Sequence, residues 1–263
     1  MNHATTTPPH RPDAPDRRPG ERPDSRPRGR RDAGAQAPRC PGFLVLASAL
    51  LLLGTAALSA LVVRSDVAHP PFQRLDDRWL AWMGGPHDGP YAALAAALNW
   101  FGGPIGVVVP LAVLTVLLVR GRRVSAAFFF LVYVGGNLAV VQGLKHLVDR
   151  PRPANPLVRV DHGSFPSGHA ATAALLVVLV GALLVPAARR RAWWWAGTAF
   201  TLAMMWSRTW LHAHWLSDTV VGAAAGAGTG LLAWWLCRAA LARENVRAHD
   251  RRGAAAGTPE RAL

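Results

Sequence analysis

The chain has 263 residues, 51% of them hydrophobic, and a formal net charge of +14. Its apolar residues are gathered in runs divided by short arginine-bearing turns, which excludes a soluble core and argues for an integral membrane protein. The basic charge falls at alternate connections between those runs, which argues against nucleic acid as a partner.

Residues 1–39 are rich in Pro, Arg, Asp and Gly and carry almost no large apolar side chain. Such a segment cannot bury enough surface to fold and is expected to be a disordered cytoplasmic tail. It is not a signal peptide, because the apolar run comes too late and is too long. Residues 40–238 are expected to form the membrane domain and 239–263 a flexible cytoplasmic tail.

Five apolar runs stand out: Phe43–Val63, Val124–Leu147, Ser167–Val185, Trp193–Leu211 and Leu216–Cys237. A sixth, Ile105–Val119, is short unless Trp100 and Phe101 extend it. About twenty apolar residues span the hydrocarbon, so an all-α bundle of six transmembrane helices is expected. Pro110 should kink the second span. The stretch 72–83 has apolar residues at helical spacing with charges opposite, as a short helix lying in the outer interface would; Tyr91–Phe101 should add a second interfacial turn. Asn137 and Gln142 interrupt the third span and read as helix–helix hydrogen-bonding residues. Trp193, Trp194 and Trp195 sit where an inner aromatic belt belongs, and Trp206, Trp210 and Trp215 near an outer one. Gly222, Gly226 and Gly230, four apart, permit close helix approach within the bundle.

With six spans, 21 of the 29 basic residues lie on one side. That side is expected to be the cytoplasm, with both termini inside and the protein in the plasma membrane. Cys40 and Cys237 both fall near cytoplasmic helix ends, so no disulfide is implied.

Three polar clusters meet the outer face: 145–153, 164–169 and 207–218. Charge at a membrane edge is costly and marks a site. Lys145, Arg152 and Arg208 could surround one anion. Lys145 is the only lysine beside 28 arginines, as if a compact ammonium were needed there. Ser167 can cap the helix that follows it, Gly168 lets a ligand approach the backbone, and His169 can hold or give a proton. A capped helix entry with an incidental histidine accounts for the hexapeptide equally well. His214 and Asp218 share a helix face, so a carboxylate could hold one imidazole nitrogen and leave the other as nucleophile or base. The pair is also compatible with a structural cap. Metal catalysis is not expected: no glutamate lies between Arg64 and Arg238, there is no His-Glu-x-x-His or cysteine pair, and surplus positive charge opposes a cation.

Lys145 with Arg152-Pro153, Pro166-Ser167-Gly168-His169, and Ser207-Arg208 with His214 and Asp218 resemble the three signature motifs of the type-2 phosphatidic acid phosphatase family. The resemblance covers roughly residues 43–237. It implies that Lys145, Arg152 and Arg208 hold phosphate oxygens with help from Ser167 and Gly168. It further implies that His214 attacks phosphorus, Asp218 orients His214 and His169 protonates the leaving oxygen. His146, His162 and His212 match no catalytic position and read as bystanders or rim residues.

The expected function is hydrolysis of a lipid phosphate or diphosphate, polyprenyl diphosphate or phosphatidate, at the extracytoplasmic face, without a cofactor. A phosphotransferase using the same site and an anion-binding membrane carrier are the alternatives; the one-sided placement of the charges argues against the carrier.

Overall fold

The computed structural model describes residues 42–256, which among themselves form helices and connecting loops. The calls on residues 1–39 and on Cys40 lie outside this range. In chain order the helices are α1 (Gly42–Ser65), α2 (Gln73–Trp82), α3 (Gly89–Gly102), α4 (Val108–Val119), α5 (Arg123–Gly136), α6 (Gly143–Val148), α7 (Gly168–Leu183), α8 (Arg190–Trp210) and α9 (Leu216–Ala256). Short 3₁₀ turns precede α4 and α8, and a π turn over Asn137–Gln142 joins α5 to α6.

Among the described residues, three helical segments are long and apolar enough to cross a membrane: Gly42–Ser65, Arg123–Val148 and Leu216–Ala248. Val108–Val119 and Gly168–Leu183 are apolar but shorter. α8 has 21 residues but carries Arg190, Arg191 and Arg208. On α1 the buried residues Ala49, Ala56, Ala60 and Val63 recur at helical spacing on one face, while Leu51, Leu58 and Leu61 are exposed. In a bilayer this is the arrangement of a helix whose small residues meet protein and whose leucines meet lipid.

α9 packs against both α1 and α7, and its glycines make this possible. A Cβ at Gly222 would lie 2.4 Å from the Ser167 carbonyl oxygen and one at Gly226 2.0 Å from that of Ala171, so only glycine lets the two backbones approach. Gly228 faces the other way, toward Leu53 and Ala49 of α1. Asn137 donates to Thr172 Oγ1 at 2.7 Å, a hydrogen bond from the π turn to α7.

Three expectations need revision. Pro110 lies in the first turn of α4, where its missing N–H has no partner to lose, so it starts a helix rather than bending one. α2 does form, but Asp76 points inward and is buried, while Leu75 and Trp82 are exposed. The inward face of this helix therefore carries Gln73 and Asp76 beside Leu80, while Arg74, Asp77 and Arg78 stay exposed. Finally, α9 continues through Arg238 to Ala256. Leu241 joins the core around Leu117, Phe129 and Leu179, and the Glu244 carboxylate accepts from Val124 N–H at 2.6 Å and Ser125 N–H at 2.9 Å. It caps the otherwise unpaired N-terminus of α5.

Candidate active site

The C-terminal ends of α6 and α8 and the N-terminal ends of α7 and α9 converge with the loops 149–167 and 211–215. Beside them, with α9 behind its wall, is a cavity of about 490 Å³ lined at its polar part by Lys145, Arg152, Arg208, His169 and His214. Gly168, Thr172, Ala173 and Leu176, on one face of α7, line it as it descends about two turns into the bundle, roughly 12 Å. Phe101, Val107 and Met204 add apolar wall. Val107, in this apolar part, is more than half exposed, so the cavity is open to solvent there.

His214 has its tautomer fixed by one contact. Its Nδ1 lies 2.7 Å from the Ser164 carbonyl oxygen. A carbonyl only accepts, so Nδ1 carries the proton and Nε2 keeps its lone pair. Nε2 lies 3.4 Å from Arg152 Nη1. Asp218 Oδ2 stands 3.7 Å from Nδ1, beyond hydrogen-bond distance. Burial pushes the imidazole pKa down to about 4; Asp218 opposes the shift, and Arg208 and Arg152 reinforce it. His214 is therefore neutral at pH 7.

Lys145 and Arg152 share an anion already present in the chain. Lys145 Nζ is 3.1 Å from both carboxylate oxygens of Asp161, and Arg152 Nη2 bonds Oδ1 of the same group. Burial would raise the Asp161 pKa, but the bond and charge of Lys145 and the charge of Arg152 outweigh it and hold the carboxyl below its ordinary value. Arg208 extends from α8 to Asn99 Oδ1 on α3. The His169 ring packs against α3 at Gly102, where a Cβ would lie 2.0 Å from its Cδ2. Its Nε2 has no hydrogen-bond partner among the described residues.

Ser167 occupies the N-cap position of α7 but makes no side-chain cap bond. Its N–H donates to the Asp218 carbonyl at 2.9 Å. Ser167 and Asp218 lie behind the cavity wall rather than on it. His146 and His162 face each other at 4.8 Å, and His212 contacts His87 at 5.0 Å; none of these lines the cavity.

Three more residues escape a residue-by-residue reading of the sequence. The Arg150 side chain is fully buried between Asp76 and Asp218. Its segment is extended, and alternate residues of an extended chain face opposite ways. Arg150 therefore turns to the protein interior and Arg152 to the cavity. The alternation Arg-Pro-Arg-Pro contains that signal, because proline opposes helix. Nothing in the sequence marks Asp161 or Asp76 out from other surface aspartates.

The described residues form an all-helical fold with three candidate membrane spans and a cavity lined by cationic side chains. The PAP2 superfamily model matches residues 126–241. The fold is similar to that of a transmembrane PAP2-type phosphatidylglycerolphosphate phosphatase from Bacillus subtilis. The TM-score is 0.62 at 18% identity, covering 71% of this chain and 94% of the other. Comparison with curated proteins finds no match.

Proposed function

We propose that the chain is a membrane phosphatase that hydrolyses a lipid phosphate or diphosphate through a phosphohistidine at His214. The observation that carries the reading is the tautomer of His214. Its Nδ1–H is held by the Ser164 carbonyl, so the free lone pair of Nε2 lies beside Arg152, where a phosphoryl group would be gripped. Nε2 attacks phosphorus, the bond to the leaving oxygen breaks, and His169 supplies the proton that oxygen needs. Water then attacks the phosphohistidine and releases phosphate.

Lys145, Arg152 and Arg208 balance the charge of the transferring group, with Ser167 and Gly168 contributing the start of α7. Asp218 supports His214 from behind. The apolar wall of Phe101, Val107 and Leu176 favours a substrate with a hydrocarbon tail, polyprenyl diphosphate or phosphatidate. Six spans, both termini in the cytoplasm and a site open to the extracytoplasmic face of the plasma membrane complete the proposal; the arginine bias supports them.

The test is phosphate release from a panel of lipid phosphates by purified protein, with rapid-quench capture of acid-labile phosphoenzyme. Release should persist in chelator and be blocked by vanadate. His214→Ala should abolish both turnover and label. His169→Ala should lose turnover on alkyl phosphates and recover part of it with an acidic leaving group. Label mapping elsewhere, or near wild-type turnover by His214→Ala, overturns the assignment.

A further inference from the structure

Resting on the phosphohistidine reading, we infer that Arg150 and Asp76 are positioning residues that fix the aim of His214 and supply the negative charge its phosphorylation requires.

Both supports of the imidazole end on Arg150. Through its side chain, Nη1 donates to Asp218 Oδ1 at 2.7 Å, while Trp215 N–H holds Asp218 Oδ2 at 2.9 Å. With each oxygen taken, the carboxylate cannot turn, and Oδ2 stays where it faces His214 Nδ1. Through its backbone, the Arg150 carbonyl accepts from Ser164 N–H at 2.8 Å. Ser164 in turn presents the carbonyl that fixes the His214 tautomer.

Asp76 anchors the other half of the guanidinium. Nη2 lies 2.8 Å from Asp76 Oδ2 and 2.6 Å from Gln73 Oε1, both on α2. Asp76 also accepts from Ser217 N–H at 2.8 Å and from Ser217 Oγ–H at 2.6 Å. A helix outside the long spans is thereby bonded to the residue next to Asp218.

The charge count gives this arrangement a chemical meaning. Asp218 with Arg150 alone would be neutral and would offer nothing to a positive imidazolium. Asp76 makes two carboxylates to one guanidinium, an excess of one negative charge in a buried place. When Nε2 bonds to phosphorus and the leaving oxygen departs with its proton from His169, the imidazole keeps its Nδ1–H and becomes positive. The excess charge is then balanced. Such compensation is strong where water is excluded. Arg152 and Arg208, facing the ring from the cavity, oppose that positive charge until phosphate screens them, so the support must come from behind.

The experiment is single-turnover phosphorylation of full-length protein by radioactive lipid phosphate, compared across Asp76→Asn, Asp218→Asn and the double variant. The inhibition constant of vanadate is measured in parallel. Asp76→Asn should slow phosphoenzyme formation about tenfold, the scale at which a supporting partner acts, with KM and vanadate inhibition within about twofold. The double variant should be slower than Asp218→Asn alone, because it leaves the Arg150 charge behind the ring with no carboxylate to offset it. Arg150→Lys keeps the charge count but loses the two-armed fork. It should also slow formation with vanadate inhibition intact, and it tests the inference even if Asp76→Asn does not fold. Wild-type rates in Asp76→Asn or Arg150→Lys, a double variant as fast as Asp218→Asn, or weakened vanadate binding at an intact formation rate overturn it. A wild type with no phosphoenzyme at His214 overturns the phosphatase reading itself and this inference with it. Labelled wild type with unaffected Asp76→Asn overturns the inference alone.

Discussion

Asp161 places a carboxylate between Lys145 and Arg152, in the space that a phosphate oxygen would need. A substrate must displace it, and the carboxylate must give up its ion pairs to water. The side chain is 56% exposed, so that cost is modest, of the order measured for surface pairs. Asp161→Asn should therefore lower KM and the inhibition constant of inorganic phosphate together, by about threefold, with kcat unchanged. Steady-state kinetics with product inhibition checks this, and a rise in both constants would show that Asp161 helps to hold the clamp. His214 makes a second prediction. Its pKa of about 4 means that the nucleophile loses its lone pair only as pH falls through that value. The loss of kcat/KM on the acid side assigned to His214 should then appear near 4, not at the ordinary histidine value of about 6.5. A pH profile taken with a substrate whose phosphate does not titrate in that range decides it.

At the level of elements, the contact of α9 with α7 aligns Asp218 behind Ser167 and the first turn of the cavity-lining helix α7. Gly226→Val places a branched side chain where even a Cβ would meet the Ala171 carbonyl at 2.0 Å. Separating the helices should cost about 1–3 kcal/mol, seen as a lower melting temperature in detergent and less folded protein. The same substitution at Gly54, where a Cβ meets nothing within 4 Å, should be near neutral. This contact was legible beforehand, since glycines four apart on an apolar helix have few other uses. The inward face of α2 was not. Periodicity finds an amphipathic helix but cannot tell which of its polar residues meet water and which a buried arginine, and Arg150 lies 74 residues from Asp76. The extension of α9 past Arg238 was hidden in the same way, because its anchor, Glu244, is 120 residues from the Val124 N–H it accepts. Most of the cationic and histidine side chains that line the cavity were readable because three short motifs carry them. What joins those motifs, the Ser164 carbonyl and the Arg150 hub, is made by pairings distant in sequence.

For the whole molecule, the proposed orientation makes a definite statement about loops. A single cysteine at position 162, beside the clamp, should react with an impermeant reagent from the extracytoplasmic side of intact cells. A cysteine introduced at 121, between α4 and α5, should react only after the membrane is opened. The reverse pattern would invert the topology and put the site in the cytoplasm.

The cavity runs from a cluster of cations to an apolar wall that surfaces at Val107, and for a lipid phosphatase this fixes the units in which substrate is counted. A ligand that arrives with its chain still dissolved among other chains is encountered in two dimensions. Its effective abundance is a mole fraction, not a molarity. Adding inert phospholipid at constant total substrate should then slow turnover in proportion to the dilution within the film, while adding buffer should change nothing. The two products also part by phase, one staying with the lipids and the other entering water, so the reverse reaction is starved of one partner by geometry alone.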